Sequence, residues 1–325
     1  MKKKSSLKHT GAFWAFCAPC CILFGVFFLV PLVLSIAFSF TNYDGWKTID
    51  FVGLTNYITL FKDSKFYLSL GRTLLYTVCT LPFRVIIPLL VAVLLCSKRV
   101  AGKSLTRTMV YIPVLMSSLV VGITINWMFS QEYGLVNFII RSMGGTALEW
   151  SLNPRLATFV IAFASVWASI GFNMILYIGG INSISNDLYE AATIDGASGV
   201  QAFFRITVPM LAPTTFMVVL LSTVNLLKEY ALVQGITQGG PGLSTTFIIQ
   251  YIFDKGFNQM QYGYASAIST VVMIIFALLP LPSSRSITEV KPDERQARQH
   301  SNDDPFSGNR RHRDFPHYLA GAQFL

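Results

Sequence analysis

Six stretches of the chain are long and predominantly apolar, at approximately 13–40, 70–95, 109–129, 156–182, 211–234 and 262–281. They run continuously rather than alternating, which does not fit half-buried strands. A hydrocarbon core of about 30 Å takes about 20 helical residues at 1.5 Å each, whereas barrel strands need only about ten. The pattern predicts an all-α fold, a polytopic six-helix transmembrane bundle over 13–282. A basic segment, 1–12, precedes it and a polar segment, 283–325, follows. The first run follows a Lys-rich start as a signal peptide does, but it exceeds the roughly 7–15 apolar residues of a cleaved leader. It is therefore expected to remain as the first span. Pro31, Pro82, Pro88, Pro113 and Pro213 interrupt the runs. Each removes a backbone donor and tends to kink a helix. That suits helices lining a passage, although proline is also commoner in spanning helices generally.

Composition supports the same class. Of 325 residues, 53% are apolar and 13% charged, against about 25% charged in typical soluble domains. The net charge of +9 does not point to nucleic acid, because no recognition motif accompanies it. Much of the excess lies in Lys2, Lys3, Lys4 and Lys8 and in Lys98, Arg99, Lys103 and Arg107, which flank apolar runs. Basic loops stay in the cytoplasm, so both clusters are expected inside. An even number of spans then places both termini there, in a multi-pass protein of the cell membrane. Segments 41–69, 130–155 and 235–261 face out, and 183–210 faces in. Cys17 and Cys20 have redox or metal spacing, but no second pair or nearby histidine completes a site. With Cys21, Cys79 and Cys96 they read as small apolar residues. The tail from Ser283 is too polar to offset its ordering entropy and is predicted to be disordered and cytoplasmic.

Candidate chemistry is sparse. Gly102-Lys103-Ser104 ends like a phosphate loop, but the glycine required five residues earlier is Ser97. No nucleophile–base set and no dinucleotide-binding glycines occur, so no catalytic residue is assigned. The segment between runs four and five, "EAATIDGASGVQAFFRITVP" at 190–209, is different. Asp187 and Glu190 have N-cap and N3 spacing, and Ser198 and Gln201 repeat it. Gly196 permits a turn between the two helices they start. The second helix carries Val200, Phe203, Phe204 and Ile206. The result is a helix–turn–helix with a small-residue face open to a partner backbone and an apolar face able to anchor on the bundle. An amphipathic loop can also simply lie at the membrane interface.

Glu190, Ala191, Ala192, Asp195, Gly196, Ala197, Ile206 and Pro209 stand at the spacing of the "EAA" loop and resemble that of ABC importer permeases. Leucine usually precedes the proline there, and this chain has Val208. "FVGLTNYITLFKD" at 51–63 and "TQGGPGLSTTFIIQYIFDKGFNQMQYGYASAIS" at 237–269 resemble the maltose-type carbohydrate branch, which includes glycerol-phosphate carriers. The resemblance covers roughly 10–281 and leaves the tail unmatched. It implies a permease subunit for a sugar or related polyol, paired with a second permease in a heterodimer. It also implies a cytoplasmic ABC ATPase dimer that grips the loop and an extracytoplasmic solute-binding protein that delivers substrate. ATP hydrolysis then belongs to a separate subunit, and no cofactor or metal is implied for this chain.

Polar residues within the spans are candidates for the substrate route. A central arginine costs about 2.5–3.5 kcal/mol on insertion scales, so Arg84 should face a cavity or a partner. It reads equally as a local specialisation or as half of an ion pair. Lys228 and Glu229, near the outer end of run five, and Asn173 and Asn225 complete the set. Buried Asn is explained equally well by helix–helix hydrogen bonds. A carrier driven by an ion gradient is the main rival, though the paired halves common in such carriers are not evident here.

Overall fold

The computed structural model describes residues 5–46, 49–97 and 102–278. The tail 283–325 and its predicted disorder lie outside the described residues, as do Lys98 and Arg99.

The described residues are mostly helical. Helix α1 (Ser5–Phe24) and α2 (Val30–Phe38) are joined by a five-residue π turn, Gly25–Leu29, in which the Val30 N–H reaches the Gly25 carbonyl. Residues Phe16–Phe38 form a first apolar span. The wide turn ends two residues before Pro31. A proline ring clashes with the carbonyl four residues back, here Phe27, and the i→i+5 turn gives that carbonyl room.

After α3 (Thr55–Lys62) comes α4 (Ser64–Cys96), 33 residues that pass Pro82 and Pro88 without a break. α8 (Pro154–Asn182) is the third long span. Between them the run at 109–129 is not one helix. α5 (Lys103–Leu115) and α6 (Ser118–Met128) meet at 101°. Met116 and Ser117 are extended, and the Met116 N–H turns to the Pro113 carbonyl, a tight i→i+3 closure. Pro113 leaves the last turn of α5 short of one bond, so that is where the helix gives way.

A short α7 (Leu135–Ser142) precedes α8. After α8 come α9 (Asn186–Ile194), α10 (Gly199–Ala202), a second π turn at Phe203–Thr207, and α11 (Val208–Met210). This turn also ends two residues before a proline, Pro209. α12 (Ala212–Leu227) leaves the 199–210 segment at 66°. The expected run 211–234 therefore stops at Leu227. Residues 228–230 unwind, and α13 (Ala231–Ile236) starts afresh, followed by α14 (Ile248–Phe253) and α15 (Tyr262–Leu278). α15 has 17 residues within the expected run 262–281.

α4 packs chiefly on α8 and α12. At the α5–α8 crossing, a β-carbon on Gly171 would lie 2.6 Å from the Val110 carbonyl oxygen, so only glycine allows the approach. Three apolar cores divide the described bundle, one of them Leu60, Phe66, Ile248, Tyr251, Ile268 and Val272. A second gathers Tyr76, Val121, Ile125, Phe129, Trp150 and Phe247 near the start of α4. The third gathers Ala92, Leu95, Met174, Tyr177, Ile184 and Leu211 near its finish. The π turn and α2 bury no residue, and Phe16, Phe24, Phe27 and Val33 are widely exposed, as lipid-facing side chains are. The five cysteines are free.

At the end where α4 begins, Asp63 caps that helix by accepting from the Lys65 N–H at 2.9 Å. It also accepts from the hydroxyls of Tyr251 and of Tyr264, the latter at 2.7 Å. Burial pushes the Asp63 carboxyl up. The two phenols and the amides of Lys65 and Phe66 outweigh that, leaving it below its ordinary 3.8. A carboxylate depressed by folding contributes stability above the unfolded value and loses it as pH falls through the folded one. Thermal unfolding of the purified protein should therefore show a loss of stability below about pH 4 that Asp63→Asn flattens. An unchanged slope in the variant would contradict the assignment.

Candidate functional site

The loop between α8 and α12 holds two linked constructions. In the first, Ser185 caps α9, its hydroxyl accepting from the Asp187 N–H at 3.3 Å. The sequence pattern placed that cap at Asp187, which instead sits in the first turn. Both residues can cap a helix, and the extended backbone falls at Ser185. α9 closes on Gly196 at φ +74°, with Gly196 N–H to the Thr193 carbonyl at 3.1 Å and Ala197 N–H to the Ala192 carbonyl at 2.9 Å. These are the two bonds of a Schellman end. Ser198 and Gln201 then form the expected capping box, at 2.8 and 3.3 Å. These caps use several of the end amides and carbonyls of the elbow locally, which favours a defined shape in a short exposed segment.

The Tyr189 and Thr207 hydroxyls meet at 3.0 Å and tie α9 to the π turn. Ile184, Leu211 and Ile206 join the core near the finish of α4. The anchor was expected on the aromatic side of the second helix. Phe203 is half-buried, but Phe204 and Val200 are exposed by 64% and 67%. Ile194 is exposed by 87%. Glu190, Ala191, Asp195, Gly196 and Pro209 are also open, with Ala192, Ala197 and Ile206 half-covered. A fixed elbow with a bare apolar and small-residue face can receive another protein.

The second construction joins α4, α8 and α12. The buried Arg84 guanidinium donates through Nε and Nη2 to the Ser165 carbonyl at 3.2 and 3.0 Å. The Arg84 main-chain carbonyl would normally accept from residue 88, but Pro88 has no N–H. Asn173 Nδ2 takes that place at 2.9 Å and also reaches Ser222 Oγ at 3.2 Å. Of the route candidates, Arg84 and Asn173 are therefore brought together, and the spacing Arg84 to Pro88 was the signal in the sequence for it. Asn225 lies on an exposed face of α12. Lys228 is exposed past the end of that helix beside a cavity with Val224 and Met273. Glu229 is half-buried, and its Oε1 accepts from the Leu232 N–H at 3.3 Å, capping α13. The charges of Arg84 and Glu229 are near enough to influence each other. Among the described residues no cluster of metal-ligating side chains occurs.

Residues 51–285 match the family model described as "Binding-protein-dependent transport system inner membrane component". The arabinooligosaccharides transport system permease protein AraP of Bacillus subtilis (strain 168) is 32% identical, covering 83% of this chain and 86% of that protein. The multiple sugar-binding transport system permease protein MsmF of Streptococcus mutans serotype c is 32% identical, covering 82% of this chain and 91% of its own length. Among solved structures, a bacterial ABC transporter involved in import of the acidic polysaccharide alginate superposes with a TM-score of 0.74 at 25% identity. That match covers 87% of this chain and 98% of the other.

Asn173→Leu should leave the Arg84 carbonyl unpaired, at a cost of about 1–3 kcal/mol. Melting of the purified protein should fall by several degrees, and adding Pro88→Ala should restore most of it by returning a helical donor. A double variant no more stable than Asn173→Leu alone would show that the amide serves something else.

Proposed function

The chain belongs to the family of binding-protein-dependent transport system inner membrane components, and on that footing we propose that it moves a sugar or related polyol as one permease of an ATP-driven importer. The names of the similar permeases AraP and MsmF support a saccharide substrate. The partners follow from the family: a second, similar permease, a pair of cytoplasmic ATPases and an extracytoplasmic binding protein. Lys103 and Arg107 lie at the same end of the bundle as the elbow, where basic residues favour the cytoplasm. The termini and the loop 185–210 are then inside. On this reading the permease body is 13–282, with 1–12 and 283–325 as cytoplasmic extensions.

The observation that carries the mechanism is the elbow itself. Leu188, Ile194, Val200 and Phe204 present an uncovered apolar surface on a backbone capped at both short helices. The Tyr189–Thr207 contact and the core around Leu211 tie that surface to α8 and α12. When the ATPases close on nucleotide, an elbow held this way turns the helices it is fixed to. The bundle exchanges between inward-open and outward-open states, with ATP setting their populations. Glu190 and Asp195 supply the exposed carboxylates of the docking face, while Ala191, Ala192, Gly196 and Ala197 keep it flat.

Gly196→Asp should leave the amount of protein in the membrane nearly unchanged and reduce ATP-dependent uptake at least tenfold. The variant strains a left-handed position and puts a charge on the docking face. Wild-type uptake at equal expression would count against the elbow. Uptake that stops when the proton gradient is collapsed with ATP maintained would point to a gradient-driven carrier instead.

A further inference from the structure

Two cavities meet at Arg72 on α4. The outer one, about 510 Å³, lies between the first turns of α4 and the segment 230–259. The inner one, about 740 Å³, runs down α4 against α8. Arg72 lines both, and the neighbours Leu243 and Ser244 line one each.

Among the described residues, several buried oxygens along this path lack partners, although most of the polar side chains are bonded. On α4, Thr73 and Thr77 donate to the carbonyl one turn back, at 2.8 Å each. Thr80, 1% exposed and lining the inner cavity, makes no hydrogen bond through its hydroxyl, and neither does Ser244. In the outer cavity Gln250, 6% exposed, has an unpartnered Oε1. A buried oxygen left unpaired costs about 1–3 kcal/mol, and these three are closed off from solvent, so a ligand pairs them only where the side chain turns towards the cavity. Phe83, Phe159 and Phe163 line the inner cavity and offer flat apolar faces to the C–H surface of a pyranose ring.

The charge of the lining is one-sided. Lys65, Arg72 and Lys255 face the outer cavity, and Arg72 and Arg155 the inner one. Among the described residues the single carboxylate in either lining is Asp254, already accepting from Asn258 Nδ2 at 2.9 Å and Gln259 Nε2 at 2.7 Å. Asp63, nearby, is taken by its two tyrosines and faces another cavity. Arg72 gives one N–H to the Leu243 carbonyl. A guanidinium has five such donors in a planar fork matched to a carboxylate. A cleft lined by one sign of charge also concentrates ligands of the other.

Resting on the permease reading above, we propose that this path takes an acidic saccharide, an oligomer bearing uronate carboxylates, and that Arg72 selects for it. Arg155 and Lys65 hold the carboxylates of neighbouring residues of the oligomer. The passage in this subunit therefore runs along α4, and Asn225 and Lys228 lie off it.

Uptake of labelled tetragalacturonate and of its methyl ester, equal in length but uncharged, tests this in cells making the intact importer. The binding protein is the same for every permease variant, so a change between variants belongs to the permease. The acid should be taken up at least tenfold faster than the ester. Arg72→Gln should lower the acid-to-ester ratio at least tenfold, and Arg72→Lys less. Loss of both sugars in equal proportion would mark Arg72 as structural and overturn the proposal. So would preference for the ester, or uptake of neither probe, even where ATP-dependent import of a neutral sugar leaves the permease reading intact. Saccharide import insensitive to ATP depletion would strike the permease reading instead.

Discussion

Inside a bilayer, no water is available to pair with a main-chain amide or carbonyl, so the protein must supply every partner itself. That constraint explains the long helices, and it also explains most polar side chains inside them. Pro88 removes one donor, and Asn173 from α8 replaces it. Pro31 and Pro209 each follow a five-residue π turn that makes room for the ring. Thr73 accepts from the Ile248 N–H at 2.9 Å and so completes the first turn of α14. Glu229 does the same for α13. Of the polar residues that sequence reasoning assigned to a substrate route, Asn173 and Glu229 are occupied in pairing the backbone.

Where the chain leaves the apolar core, the same requirement is met within a few residues. The elbow at 186–210 uses a Ser cap, a glycine-centred helix end and a reciprocal capping box, and so needs no partner to keep its shape. A segment that is rigid before it is covered can transmit displacement when a partner grips it. Its two exits lead into α8 and α12, both of which pack on α4 and meet at Asn173 and Ser222. Of these helices α8 borders the larger cavity, and α12 leaves the elbow at a 66° bend.

The apolar runs made the spans legible because about 20 apolar residues in sequence have few other destinations. The loop motif was legible too, because caps and a glycine turn are written in consecutive residues. Helix breaks were harder. Runs 109–129 and 211–234 are continuous in hydropathy, yet the backbone bends between Leu115 and Ser118 and unwinds after Leu227. Hydrophobicity records the solvent and not the direction of the chain. The choice of Ser185 over Asp187 as cap depended on one backbone angle that neither side chain dictates. The partners of Arg84 lie 81 and 89 residues away, a separation no local pattern encodes.

The account rests on the elbow being an intracellular surface that touches an ATP-hydrolysing neighbour. A single cysteine at Ile194, in a chain with Cys17, Cys20, Cys21, Cys79 and Cys96 replaced, tests this directly. It should resist a membrane-impermeant thiol reagent applied to whole cells and cross-link to the ATPase subunit in inside-out vesicles. Labelling from outside, or no cross-link to any ATPase, would contradict the account.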